Sequence, residues 1–183
     1  MSDTFIASSI FQWLLLIICS FAVINLYIQR RMFRRELGMK DAGFAYGTVF
    51  PKLRLQTFLG EDVSLSSKNI KGSVVAFTAV SCDACNTLYP SISSFLKSRP
   101  GFQMTIMMVG NAEDVSQKAA HYDISVPVVR LQHEQLEEFG VKGFPFAYYL
   151  SPEGKVLSKG IVNSGEHLSI LIGSAYANKG KAS

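Results

Sequence analysis

Cysteine is scarce in this chain. Three residues among 183, Cys19, Cys82 and Cys85, cannot build the disulfide framework that staples small secreted domains. Histidine is as sparse: His121, His133 and His167 stand singly, without the paired ligand spacing of a zinc site. Half of the formal charge of +4, which gives a pI near 9.0, comes from the first quarter of the chain. Residues 1–45 carry five basic and three acidic side chains, which leaves thirteen and eleven for the rest. The excess of two basic side chains left over residues 46–183 gives no case for nucleic-acid binding. No internal repeat is visible. Nothing basic precedes the first apolar run, so the positive leading region of a cleaved signal peptide is missing too.

That run, Phe5 to Ile28, is free of charge. As helix it reaches ~36 Å, against a hydrocarbon core of ~30 Å. It is followed by Gln29-Arg30-Arg31-Met32-Phe33-Arg34-Arg35. The pattern predicts a retained single-pass anchor (1–29) in the inner cell membrane, with Cys19 as a small hydrophobe inside it. A basic connector (30–46) follows, ending in the flexible Gly43 to Gly47, then one domain (47–176) and a frayed tail (177–183). Positive-inside counting puts the Arg-rich flank in the cytoplasm.

The domain is organised around Val74 to Val80, an apolar run that reads as a buried strand. It breaks at Ser81 and delivers Cys82-Asp83-Ala84-Cys85 into the expected first turn of a helix reaching about Lys97. The exposed N–H groups of a helix start favour a thiolate, and a cysteine three residues on can close a disulfide with the first. Asp83, beside Cys82, opposes thiolate formation. Pro90 is expected to kink this helix rather than start it. Cys-x-x-Cys between strand and helix points to redox chemistry, with half of a zinc site as the bland alternative. No metal or other cofactor is expected.

Alternation predicts strands over Pro51–Thr57 and Val63–Leu65 around a turn at Leu59 to Asp62. Phe102 to Val109 reads as a buried strand, and Asn111 as the N-cap of a helix to about Tyr122. Val126 to Leu131 reads as a strand or an edge piece given Pro127, and Gln132 to Phe139 as a short helix ended by Gly140. Pro145 opens the aromatic strand Phe146 to Leu150, and Lys155 to Val162 follows as a strand. Ser164 caps a last helix from Gly165 to about Tyr176. Strands and helices in this order give an α/β fold with a central mixed sheet.

With these features placed, the chain resembles thioredoxin-fold proteins over residues 47–176. Its extra strand and helix between Cys85 and Pro145 resemble the membrane-anchored branch that includes the cytochrome c maturation reductases. A narrower likeness is to the methylamine utilization family MauD, needed to mature methylamine dehydrogenase. It is carried by the anchor with Arg31 to Gly38, by Ser81 to Cys85 with Pro90, and by Lys159 to Leu168. The resemblance implies a cis bond before Pro145, packed beside Cys82 and Cys85, and backbone groups of Phe144 that pair with an extended client. It implies a disulfide-bearing protein client, the small subunit of methylamine dehydrogenase, a second redox partner, and a domain on the periplasmic side. Three departures argue for a dedicated client over general reduction. Ser81 replaces the usual tryptophan, Phe144 replaces a small or β-branched residue, and Val74 to Val80 holds no buried acid.

Two other classes are open. A peroxiredoxin would carry a threonine three residues before its cysteine, whereas Thr78 stands four before Cys82. A copper chaperone would use Cys82, Cys85 and a histidine such as His167.

Overall fold

The computed structural model describes residues 12–25 and 42–179, which belong to two separate compact units. The first contains helix α1 (12–25). Its apolar side chains stand exposed on every side, from Trp13 at 68% through Ile18 at 67% and Phe21 at 69% to Ile24 at 56%. Among the described residues no helix is long and apolar enough to cross a membrane. The rest of the expected span 5–28, most of the connector and residues 180–183 lie outside them.

The second unit is built on one sheet. β3 (Gly72–Ala79) is buried at all eight positions, as its apolar and β-branched run requires of a strand covered on both faces. β4 (Phe102–Val109) runs parallel to it, pairing Gly72 with Phe102 and Ala79 with Val109. β6 (Phe146–Leu150) runs antiparallel on the other side, pairing Ser73 with Leu150 and Phe77 with Phe146. With β5 (Val128–Leu131) and β7 (Val156–Gly160) at the edges, the order is β5-β4-β3-β6-β7. A separate hairpin pairs β1 (Arg54–Gln56) with β2 (Asp62–Ser64).

Helices α2 (Tyr89–Ser98), α3 (Ala112–His121) and α4 (Gly165–Lys179) complete the fold. The core on the α2–α4 side gathers Val74, Leu88, Ile92, Ile106, Leu168 and Ile172. Phe50, Phe77, Phe139 and Tyr148 form an aromatic cluster with centroids 5.4–6.0 Å apart.

Several boundaries differ from the sequence reading. β5 begins after Pro127, which has no N–H to give the ladder, and it lies at an edge. Gln132 to Phe139 is a 3-10 helix from His133, closed by Gly140 in the left-handed region (φ 64°). Residues 42–44 are docked on the domain rather than left in a loose connector. Ala42 is buried, Gly43 N–H donates to the Gly140 carbonyl at 2.8 Å, and Phe44 stacks on Tyr148.

Pro90 neither kinks nor interrupts α2. It stands in the first turn, immediately after Tyr89, where its missing N–H costs nothing and its fixed φ suits the helix. The cysteines therefore do not open α2. They sit in a separate 3-10 turn (Asp83–Cys85), joined to it through Asn86 to Leu88.

Candidate redox site

The chain leaves β3 at Ala79 and turns sharply: Val80 N–H donates to the Val109 carbonyl (2.9 Å) and Cys82 N–H to Ala79 (3.1 Å). Cys82 caps the 3-10 turn in extended conformation. Cys85 N–H then reaches the Cys82 carbonyl at 3.2 Å, and Leu88 N–H the Cys85 carbonyl at 3.0 Å. Within this turn Cys82 and Cys85 form a disulfide, with Cα atoms 5.4 Å apart. The two sulfurs are unequal. Cys85 is fully buried, while Cys82 is half-buried at the margin of the core. Exchange chemistry requires that asymmetry: one sulfur is open to an incoming thiol and the other is sheltered to leave and return.

The β3–β6 ladder ends at the Phe77–Phe146 pair, so the loop entering β6 lies where β3 heads for the cysteines. Here the Phe144–Pro145 bond is cis and Pro145 is buried. Phe144 is half-buried and packs against the core cluster that Cys82 also borders. Among the described residues its backbone N–H and carbonyl have no hydrogen-bond partner in the protein. The exit of β3 toward Cys82 and Cys85 and the entry to β6 through Phe144 and Pro145 thus lie at the same end of these paired strands, with Cys82 and Phe144 each packed against the core cluster that holds Cys85.

The floor of the site is neutral. Thr78 Oγ1, Asn86 Oδ1 and the Tyr89 hydroxyl are buried without a well-formed hydrogen bond. Burial pushes the Tyr89 phenol up, the nearby Thr78 hydroxyl opposing this and the Tyr122 phenol adding to it. One wall is α3, where the Lys118 ammonium donates to the Val80 carbonyl at 2.7 Å and its Nζ lies 5.9 Å from the centre of the Tyr89 ring. Burial lowers the Lys118 pKa, and the charge of Asp83 opposes that. Opposite, Thr87 Oγ1 donates to the Asn163 carbonyl (2.8 Å), tying the cysteine loop to the segment before α4. The Ser164 hydroxyl there accepts from His167 N–H at 3.3 Å. His167 itself is exposed, and among the described residues no group of three His, Cys, Asp or Glu gathers to hold a metal.

Lys118, Tyr89 and Thr87 escaped the sequence reading. Helical spacing from the Asn111 cap puts Lys118 in the last turn of α3, but only the crossover of α3 over the end of β3 aims it at Val80.

No family model matches the chain. It is 25% identical over 174 residues to the methylamine utilization protein MauD of Methylorubrum extorquens, covering 91% of this chain and 84% of that one. The MauD protein of Paracoccus denitrificans is also 25% identical, over 94% of this chain and 89% of its own. Among solved structures, the thioredoxin domain of a thiol-disulfide oxidoreductase from Bacteroides vulgatus superposes with a TM-score of 0.56. Its identity is 25%, over 63% of this chain and 88% of that one. A DsbE thiol:disulfide interchange protein of Chlorobium tepidum has a TM-score of 0.61 at 24% identity, covering 72% of this chain and 98% of that chain. The chain is thus similar to MauD proteins along nearly its whole length, and with a thioredoxin fold carrying a Cys-x-x-Cys disulfide it is a thiol-disulfide oxidoreductase.

Proposed function

We propose that this protein is a membrane-anchored oxidoreductase that forms or corrects disulfides in a dedicated client, the small subunit of methylamine dehydrogenase, during its maturation. The observation that carries this is the unequal pair, half-buried Cys82 and buried Cys85, with Phe144 packed against the same core cluster as Cys82 and its backbone without a partner among the described residues, in a chain similar to MauD proteins over nine-tenths of its length. In the oxidising direction a client thiolate attacks Cys82 Sγ and the Cys82–Cys85 bond breaks. Cys85 leaves with the electron pair and takes a proton. The second client thiolate then attacks the mixed disulfide and releases Cys82. The client has lost two electrons and two protons to the domain, and a partner disulfide takes them back. Run backwards, the same steps reduce the client. An extended client segment pairing with Phe144 presents its sulfur to Cys82.

The helix 12–25, apolar on all sides, suits lipid better than water, and it lies within the 24-residue uncharged run. A domain on the periplasmic side would meet a periplasmic client. General reduction of the cytochrome c maturation type is the second reading, favoured by the likeness to the DsbE fold. One experiment separates them. Cys85→Ser leaves Cys82 unable to resolve and accumulates mixed disulfides, whose partners are read by mass spectrometry. A methylamine dehydrogenase subunit is the expected partner; a broad set of unrelated proteins would overturn the dedicated-client reading. Labelling Cys82 in intact spheroplasts with an impermeant thiol reagent tests the side, and protection until lysis would place the domain in the cytoplasm.

A further inference from the structure

A thiolate at Cys82 needs a stabilising charge, and the usual sources are weak here. The cysteine turn is a three-residue 3-10 piece, too short for an appreciable dipole, and α2 starts only at Tyr89. Asp83, exposed and adjacent, opposes ionisation of the thiol. β3 holds no acid or base, and Thr78 and Tyr89 beneath the site are neutral hydroxyls.

One cation is delivered to this turn by the fold. Lys118 crosses from α3 past the face of Tyr89 and fixes its ammonium 2.7 Å from the carbonyl of Val80, two residues before Cys82. Two residues of chain span at most about 7 Å, so the 2.7 Å contact keeps this charge beside the turn that carries the sulfur, at a separation on the order of the Debye length of about 10 Å. No carboxylate lies within ion-pair distance of Lys118 among the described residues; Asp83 acts on it through space. Lys118 also lines an open cleft beside the cysteine turn with Val80, Ser81, Asp114, His121 and Tyr122. The groups facing it are thus Asp83 from the turn, Asp114 and His121 from α3, and the phenols of Tyr89 and Tyr122.

We propose that Lys118 is a positioning residue of the redox site: its ammonium, seated on the Val80 carbonyl, holds the Cys82 turn and lowers the energy of the Cys82 thiolate, offsetting Asp83. The proposal rests on the thiol-disulfide reading of the domain and not on the identity of its client.

The test is the pH profile of Cys82 alkylation in the reduced full-length chain, which needs no client. Lys118→Met removes charge and hydrogen bond together, and Lys118→Gln removes the charge while keeping an amide donor. Both are expected to move the profile up by about one pH unit, a roughly tenfold smaller thiolate fraction near neutrality. Lys118→Arg should keep the parent profile, and Asp83→Asn should move it the other way. An unmoved profile in Lys118→Gln, whatever happens to Tm, overturns the electrostatic role. If neither Met nor Gln folds, Asp83→Asn and added salt carry the test: a profile indifferent to both also overturns it. Failure to trap a methylamine dehydrogenase subunit would leave this profile untouched.

Discussion

Reducing the disulfide and exposing the chain to a small alkylating reagent should label Cys82 at least a hundredfold faster than Cys85. Cys82 is half-exposed and needs no opening. Cys85 has no exposed surface, and neither does Leu88 beside it. Reaching Cys85 breaks the bonds from Cys85 N–H to Cys82 and from Leu88 N–H to Cys85, about 1 kcal/mol each. It also brings Leu88 to water, at about 1.5–3 kcal/mol. The opening thus costs roughly 3.5–5 kcal/mol, an open fraction of about one in a thousand with tenfold per 1.4 kcal/mol. Timed pulses of iodoacetamide, acid quench and fragment-ion mass spectrometry give both rates on one peptide. The ratio should collapse toward unity in concentrated denaturant, which removes burial and leaves the intrinsic reactivities. Rates within threefold in native buffer would refute the assignment of Cys82 as the exchanging sulfur.

Two further outcomes follow from packing at and behind the site. A Cβ on Gly110 would stand 2.6 and 2.9 Å from the Val80 methyls, so Gly110→Ala should cost about 1–3 kcal/mol by overpacking and slow exchange at Cys82. Unchanged denaturation midpoint and exchange rate would show that Val80 yields freely. The buried Tyr148 hydroxyl donates to the Phe139 carbonyl (2.7 Å) and accepts from Phe44 N–H (3.1 Å), so Tyr148→Phe should cost about 1–3 kcal/mol. Burial pushes this phenol up to about 12 against the usual 10.0, with the Phe44 N–H opposing. The folded state therefore favours the neutral form. Its contribution is complete below pH 10 and is lost as pH rises toward 12, roughly 2–3 kcal/mol over the window. Denaturant titrations at pH 9 and 12 should show that loss shrinking in Tyr148→Phe; an equal loss in both chains would assign it elsewhere.

What was legible in the sequence is what local patterning determines. The apolar run through Val74 to Val80, the Cys-x-x-Cys that ends it, the Asn111 cap and the aromatic strand after Pro145 all carry their structure within a few residues. Asn111 does accept from Asp114 N–H at 2.8 Å. Pro90 is ambiguous in the sequence: a proline close to a helix start marks its first turn as readily as a kink, and the choice depends on whether the residues before it are helical. Residues set by distant partners were out of reach. Phe44 stacks on a tyrosine 104 positions away, and Lys118 bonds a carbonyl 38 positions back. Neither partner leaves a periodic trace.

The site's parts converge because three chain segments leave or enter the sheet at one level. β3 ends at Ala79 opposite the end of β4 at Val109, and the antiparallel β6 begins opposite Phe77. Beyond that level the backbone is released from the ladders, as at the carboxyl ends of strands in open α/β sheets generally. The exit of β3 supplies the exchanging sulfur. The exit of β4 passes close to Val80 only because residue 110 is glycine, and it leads into α3, which returns Lys118 to that same Val80. The entry to β6 supplies Phe144 and Pro145. On the proposed reading, thiol reactivity and client contact come from separate segments that meet the sheet at the end of β3. If both proposals hold, a change in α3 retunes Cys82 without touching the Phe144 loop, and a change in that loop alters the client without moving the thiol.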